Sequence, residues 1–237
     1  MSDTIRYTVH DNIGEITLDD GKVNAMSQSF FDGLNAALDQ AEREKPGAVV
    51  ITGRPGVFSA GLNLKLLPTL PPEQLRDTML AFGHTMLRVF TFPIPTVAAV
   101  TGHAIAGGAM LMFACDLRHV AEGHFRIHLN EVAIGLPLPS WAIALAHSAI
   151  PTRWHTEAIL HARMYSPAEA LERGIVDATT PADRLMQEAR VAAATLTPLD
   201  QTAYAVSKKR HRAMEVAFVS DLLEKEMSAL PARGAGR

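Results

Sequence analysis

Gly53-Arg54-Pro55-Gly56-Val57-Phe58-Ser59-Ala60-Gly61-Leu62-Asn63-Leu64 runs a turn, a short apolar segment and a pair of small residues together. It follows Ala48-Val49-Val50-Ile51-Thr52, a largely apolar segment of strand length. A chain that leaves a strand, turns and narrows to Ala60-Gly61 can approach another backbone or a ligand closely, because little side chain intervenes. Two readings stand on these residues alone: a tight connecting loop, or a bend that aims backbone N–H groups at a ligand.

Working outward, Val97–Val100 and Leu117–Ala121 are further strand candidates. Upstream, Tyr7–Asp11 and Gly14–Leu18 alternate apolar and polar residues around Asp11-Asn12, which predicts an opening hairpin. Ser27 or Ser29 can cap a helix whose Phe30, Phe31, Leu34, Leu38 and Ala41 recur on one face. Ser166-Pro167-Ala168-Glu169 carries a capping serine, proline at the first helical position and the glutamate of a capping box, and Gly174 supplies the stop. After Thr197-Pro198, a long helical run is expected over Asp200–Leu230. Strands alternating with helices predict an α/β architecture with a covered sheet.

The 237 residues are 48% apolar, enough for a sizeable core. A net charge of −3 gives no general attraction to nucleic acid or anionic membrane. Cys115 is the single cysteine, so neither an internal disulfide nor a cysteine-based zinc site is expected, and no His-Glu-x-x-His occurs. The N-terminus lacks a basic end followed by an apolar run, and no stretch of about 20 apolar residues is present. A cytoplasmic protein without a membrane span, a bound metal or a nucleic-acid partner is therefore expected. No Gly-x-Ser-x-Gly elbow points to a serine hydrolase.

Two more stretches invite chemistry. Thr101-Gly102-His103-Ala104-Ile105-Ala106-Gly107-Gly108 follows a strand and opens the apolar helix Ala109-Met110-Leu111-Met112. Its glycines serve either close helix–sheet packing or an anion site at a buried helix start. It lacks the Gly-Lys-Ser/Thr of a nucleotide P-loop. In His128-Leu129-Asn130-Glu131-Val132-Ala133-Ile134-Gly135, Glu131 is an acid in a run that stays uncharged to Arg153. It is either a surface-loop glutamate or a buried carboxylate with a raised pKa, suited to act as a general base.

Together these stretches resemble the enoyl-CoA hydratase/isomerase (crotonase) superfamily. Phe58 to Leu64 is similar to its Phe-Ser-Ala-Gly-x-Asp-Leu motif, and Gly102 to Gly108 to its Asn-Gly-x-x-x-Gly-Gly-Gly segment. Asn130-Glu131-Val132 with Gly135 is similar to its Pro/Asn-Glu-x-x-x-Gly segment, and Ala168 to Asp177 to its Ala-x-x-x-Gly-Leu-Val-Asp helix end. The resemblance implies a spiral of ββα units over 1–195 that binds acyl-CoA and a C-terminal helical trimerisation region over 196–230. Composition adds a disordered tail over 231–237. The resemblance further implies an oxyanion hole from the N–H groups of Leu62 and Gly107, catalysis by Glu131, and homotrimers or dimers of trimers. Lys22, Val23, Ala60, Gly61, Leu62, Asn63, Leu64 and Asn130 are the implied coenzyme A and substrate contacts. Coenzyme A enters as part of the substrate, with no permanently bound cofactor.

The departures are informative. Hydratases of the family carry two glutamates; the first falls at Met110 and the second at Glu131. Leu-Asn-Glu, Arg-Pro-Gly-Val-Phe-Ser-Ala-Gly-Leu and an apolar Met110 are together similar to the Δ3,Δ2-enoyl-CoA isomerase branch. Asn63 replaces that branch's aspartate, which loosens the loop or alters coenzyme A contacts, and Ala106 replaces a glycine, which narrows the site. Competing expectations are hydration, another crotonase-type reaction, or a catalytically weak coenzyme A- or RNA-binding relative. His103 and His128 are expected to be satisfied by backbone hydrogen bonds. Lys208-Lys209-Arg210-His211-Arg212 is expected to be a solvated helix face, with reach to a coenzyme A phosphate as the alternative.

Overall fold

The computed structural model describes residues 4–228. The expected disordered tail over 231–237 and the last residues of the expected C-terminal helix lie outside them. The chain opens with β1 (Ile5–His10) and β2 (Ile13–Leu18), then α1 (Gln28–Glu44), β3 (Ala48–Thr52), β4 (Gly56–Ser59) and α2 (Pro72–Phe90). It continues through β5 (Thr96–Val100), β6 (Gly102–Ile105), α3 (Gly107–Ala114), β7 (Leu117–Ala121), β8 (Ile127–His128) and α4 (Ser140–Ala149). Next come α5 (Pro167–Glu172), β9 (Ala178–Thr180) and α6 (Leu185–Leu196), and last α7 (Gln201–His211) and α8 (Ala213–Ser228).

The connectivity repeats. Strands β3, β5 and β7 enter a six-stranded sheet of order β1-β2-β3-β5-β7-β9, while their successors β4, β6 and β8 form a three-stranded parallel sheet. Each strand pair is followed by a helix, so the chain climbs as the expected spiral of ββα turns. Among the described residues only the β1–β2 hairpin is antiparallel within the large sheet; β2, β3, β5, β7 and β9 pair in parallel. Asp11 and Asn12 both hold positive φ, the backbone twist that a two-residue hairpin turn requires.

Both faces of the large sheet are covered, which explains why its central strands are continuously apolar. Val49, Ile51, Ala98 and Val100 face the main core with α1, α2 and α3, whereas Ala48, Val50, Val97 and Ala99 face Leu185, Ala189 and Ala193 of α6. The apolar stripe of α1 is buried as its spacing predicts, and Ser166 closes the predicted capping box with Glu169. Ser27 occupies the cap position of α1, but its hydroxyl pairs with the Ser29 hydroxyl at 3.0 Å and accepts no backbone N–H of the helix.

The expected single helix over Asp200–Leu230 is instead two, α7 and α8, with Arg212 between them at φ −99° and ψ 5°. No glycine or proline marks this break. Arg212 is drawn inward: its guanidinium donates to Asp116 Oδ1 at 2.8 Å and to the Phe90 carbonyl, and it stacks over the Phe90 ring. Lys208, 5% exposed, donates to Asp116 Oδ2 at 2.7 Å. The expected solvated basic face is therefore corrected at Lys208 and Arg212, whose charges fasten α7 and α8 to the core through Asp116.

Candidate active site

The turn after β4 is held on two sides. Met26 donates its N–H to the Gly61 carbonyl at 2.8 Å, and Asn63 donates its N–H to the Met26 carbonyl at 2.8 Å. The Ala60 N–H goes to the Val23 carbonyl at 3.0 Å and the Gly61 N–H to Ser59 Oγ at 3.1 Å. Among the described residues the Leu62 N–H has no partner. The Gly61 carbonyl and the Leu62 N–H share one planar trans peptide, so fixing the first on Met26 points the second the opposite way.

The second free amide comes from α3. Gly107 is its first residue, so its N–H has no carbonyl within the helix to meet. Ala106 precedes it at φ 52° and ψ −119°, a conformation that L-residues rarely adopt. Two bonds hold it there: Ala106 donates its N–H to the His128 carbonyl at 2.9 Å, and its carbonyl accepts the Met110 N–H at 3.0 Å. Gly108 is demanded by packing, because a β-carbon there would meet the Ser59 carbonyl oxygen at 2.1 Å. The glycine-rich helix start thus serves close helix–sheet packing and a free amide at once.

The bond from Ala106 to His128 also ties the start of α3 to the strand that leads into Glu131. Glu131 is 8% exposed, its Oε2 has no hydrogen-bond partner, and burial pushes its carboxyl up to about 7. That is a group able to take and return a proton near neutrality. The surface-loop reading of Glu131 is set aside. Met110 is 1% exposed and packed in the core.

The remaining expected contacts divide. Ala60, Gly61, Leu62 and Asn63 form the turn just described, with Leu64 exposed beyond it. The Asn63 Oδ1 accepts the Leu66 N–H at 3.1 Å, a bond that bridges the turn to the residues after it. The Ala106 methyl lies beside Gly61, where an added β-carbon would be 3.0 Å from it. Lys22 and Val23 lie on an exposed turn whose carbonyls accept from Arg54 Nη1 and Ala60 N. Asn130 is partly buried, and its Oδ1 has no partner.

His103 accepts the Arg126 N–H at Nδ1, a backbone bond of the expected kind. His128 is half-buried and hydrogen-bonds the Ala162 backbone, as expected, with its Nδ1 unpartnered. Sequence reasoning missed Asn24, which is fully buried at φ 51° and donates from Nδ2 to the Leu18 and Phe58 carbonyls. An asparagine, a residue tolerated at left-handed φ, just after the turn-forming Asp19-Asp20-Gly21 was the available signal.

A family model described as enoyl-CoA hydratase/isomerase matches residues 8–227. The chain belongs to the enoyl-CoA hydratase/isomerase family. Human mitochondrial enoyl-CoA delta isomerase 1 is 32% identical over 170 residues, which are 70% of this chain and 56% of that protein. The chain thus spans little more than half the length of that relative. Two structures of one Mycobacterium tuberculosis protein, called an enoyl-CoA isomerase in the first and a probable enoyl-CoA hydratase in the second, both superpose with TM-score 0.90, at 35% and 34% identity, the first covering 97% of this chain and 100% of the other. An enoyl-CoA hydratase structure from Mycobacterium marinum gives 0.89 at 32% identity, covering 96% and 99%. The spiral of ββα turns is accordingly the crotonase fold, and relatives named for either activity share it. Among the described residues no helix is long and apolar enough to cross a membrane, and no group of three His, Cys, Asp or Glu side chains could hold a metal ion.

Proposed function

We propose that this enoyl-CoA hydratase/isomerase family member moves a double bond of an enoyl-CoA from the 3 to the 2 position. The observation that carries the reading is Glu131, a buried carboxylate with one unpartnered oxygen and a pKa near 7, in a chain whose alternative acid position is filled by Met110.

In this mechanism the Glu131 carboxylate removes a proton from the α-carbon of the thioester. The C–H electrons delocalise into a dienolate whose charge rests on the thioester oxygen. The N–H groups of Leu62 and Gly107 donate to that oxygen, each worth roughly 2.7–4 kcal/mol in the transition state. Protonated Glu131 then returns the proton to the γ-carbon, the double bond settles between the α and β carbons, and the carboxylate is regenerated. One acid suffices because acceptor and donor are the same group. Hydration needs a second group to hold and activate water, and the Met110 thioether cannot transfer a proton.

The Ala60–Leu64 turn, Lys22, Val23 and Asn130 are the proposed contacts to coenzyme A and the acyl group. Self-association through the C-terminal region belongs to the same proposal. Met214 and Phe218 of α8, 84% and 66% exposed, are apolar side chains that such contact would cover. Parallel assays with 3-enoyl-CoA and 2-enoyl-CoA test the activity. Isomerisation of the first without hydration of the second supports the reading, and hydration as the dominant reaction overturns it.

A further inference from the structure

We propose that Ser59 is a positioning residue that sets the direction of the Leu62 amide, with the Asn24 main-chain carbonyl as its anchor. The inference rests on the proposed function, in which that amide meets the thioester oxygen.

Ser59 is completely buried, so its hydroxyl is no surface group and has no access to substrate. It donates to the Asn24 carbonyl at 2.7 Å and accepts the Gly61 N–H at 3.1 Å. Both roles of the hydroxyl are thereby used, and the rotor is locked. The consequence lies one peptide further on. With the Gly61 N–H committed to Ser59, the peptide before Gly61 is fixed. With the Gly61 carbonyl committed to Met26, the peptide after it is fixed as well. Gly61, at φ +79°, is the one residue in the turn free enough to let these peptides rotate, and the two bonds remove that freedom. The Leu62 N–H is left as the single unpaired donor of the turn.

The anchor is itself rigid. Asn24 donates to the carbonyls of Leu18 and Phe58 at 2.9 and 3.0 Å and accepts the Asp20 N–H at 2.9 Å. Asp20 gathers the N–H groups of Lys22, Asn24 and Ala25 on its carboxylate. Alanine at 59 removes the acceptor for the Gly61 N–H. That N–H then competes with its neighbour for the thioester oxygen, or the turn rotates.

The test uses the full chain and a saturated acyl-CoA isotope-labelled at the thioester carbonyl. The infrared carbonyl stretch of the bound probe reports hydrogen bonding to that oxygen directly. In the natural protein the stretch shifts down on binding. In Ser59→Ala the shift shrinks, kcat falls roughly ten- to a hundred-fold, and KM and the affinity for free coenzyme A change less than about two-fold because the coenzyme contacts remain. Ser59→Cys, with a weaker acceptor, gives an intermediate shift and keeps the test alive if the alanine variant does not fold. A full shift in both variants overturns this inference and leaves the proposed function standing. No shift even in the natural protein overturns the proposed function and this inference with it.

Discussion

A β-carbon added to Gly61 would lie 2.8 Å from the amide nitrogen of Gly107 and 2.9 Å from the Ile105 carbonyl oxygen. The turn after β4 and the start of α3 therefore meet backbone to backbone, which is how two free amides come to share one small region. Gly61→Ala is expected to force these segments apart and to strain a residue at φ +79°. We expect a stability loss of about 2 kcal/mol and a loss of turnover on the order of a hundred-fold. Urea unfolding and steady-state kinetics on the same preparation check both.

Glu131 predicts a pH dependence in activity. The reaction starts from the carboxylate, and burial holds the carboxyl near 7, so kcat/KM is expected to fall about ten-fold per pH unit below about 7. A profile flat from pH 5 to pH 8 contradicts this assignment.

The same group predicts a stability trend of opposite sense. Its pKa is raised on folding from 4.5 to about 7, so the folded protein holds the proton more tightly. Its contribution is fully present below the unfolded value and is lost as pH rises through the folded one. Glu131→Gln removes that loss and is expected to be more stable than the natural protein at pH 8, by on the order of 2 kcal/mol, with the gap closing near pH 4. Chemical denaturation at the two pH values measures it.

Asp116 anchors the C-terminal helices and should fail differently. Burial raises its carboxyl, but Lys208 and Arg212 outweigh that and hold it below the usual carboxylate range. Its contribution is present at neutral pH and is lost as pH falls through the lowered value. Asp116→Ala leaves two inward-drawn cations without their acceptor and is expected to cost roughly 3–5 kcal/mol. Hydrogen exchange should show α7 and α8 opening before the sheet does.

Much of this architecture was legible in the chain. Strand β3 coincides with its apolar run, and β5 differs from its own only by starting at Thr96, because each is packed on both faces and residue type and burial then agree. Glu131 stood out because charge is scarce around it. Two features were not legible. The break at Arg212 has no breaker residue; it depends on Asp116, a partner distant in the chain and brought close only by folding. The Asn24–Ser59 anchor runs through a main-chain carbonyl, which leaves no mark in side-chain chemistry. Ala106 illustrates the same limit: its positive φ is imposed by its bonds to His128 and Met110, while its own side chain disfavours it. Ala106→Gly should accordingly relieve strain, with thermal unfolding shifted upward by the equivalent of about 1 kcal/mol.

The most direct test is Glu131→Gln, read by isomerase turnover on a 3-enoyl-CoA and by equilibrium binding of a saturated acyl-CoA. The expected result is a loss of turnover of roughly a hundred- to ten-thousand-fold, with acyl-CoA affinity within a few-fold of the natural protein. Near-normal turnover in this variant would remove Glu131 from the reaction and contradict the proposed mechanism.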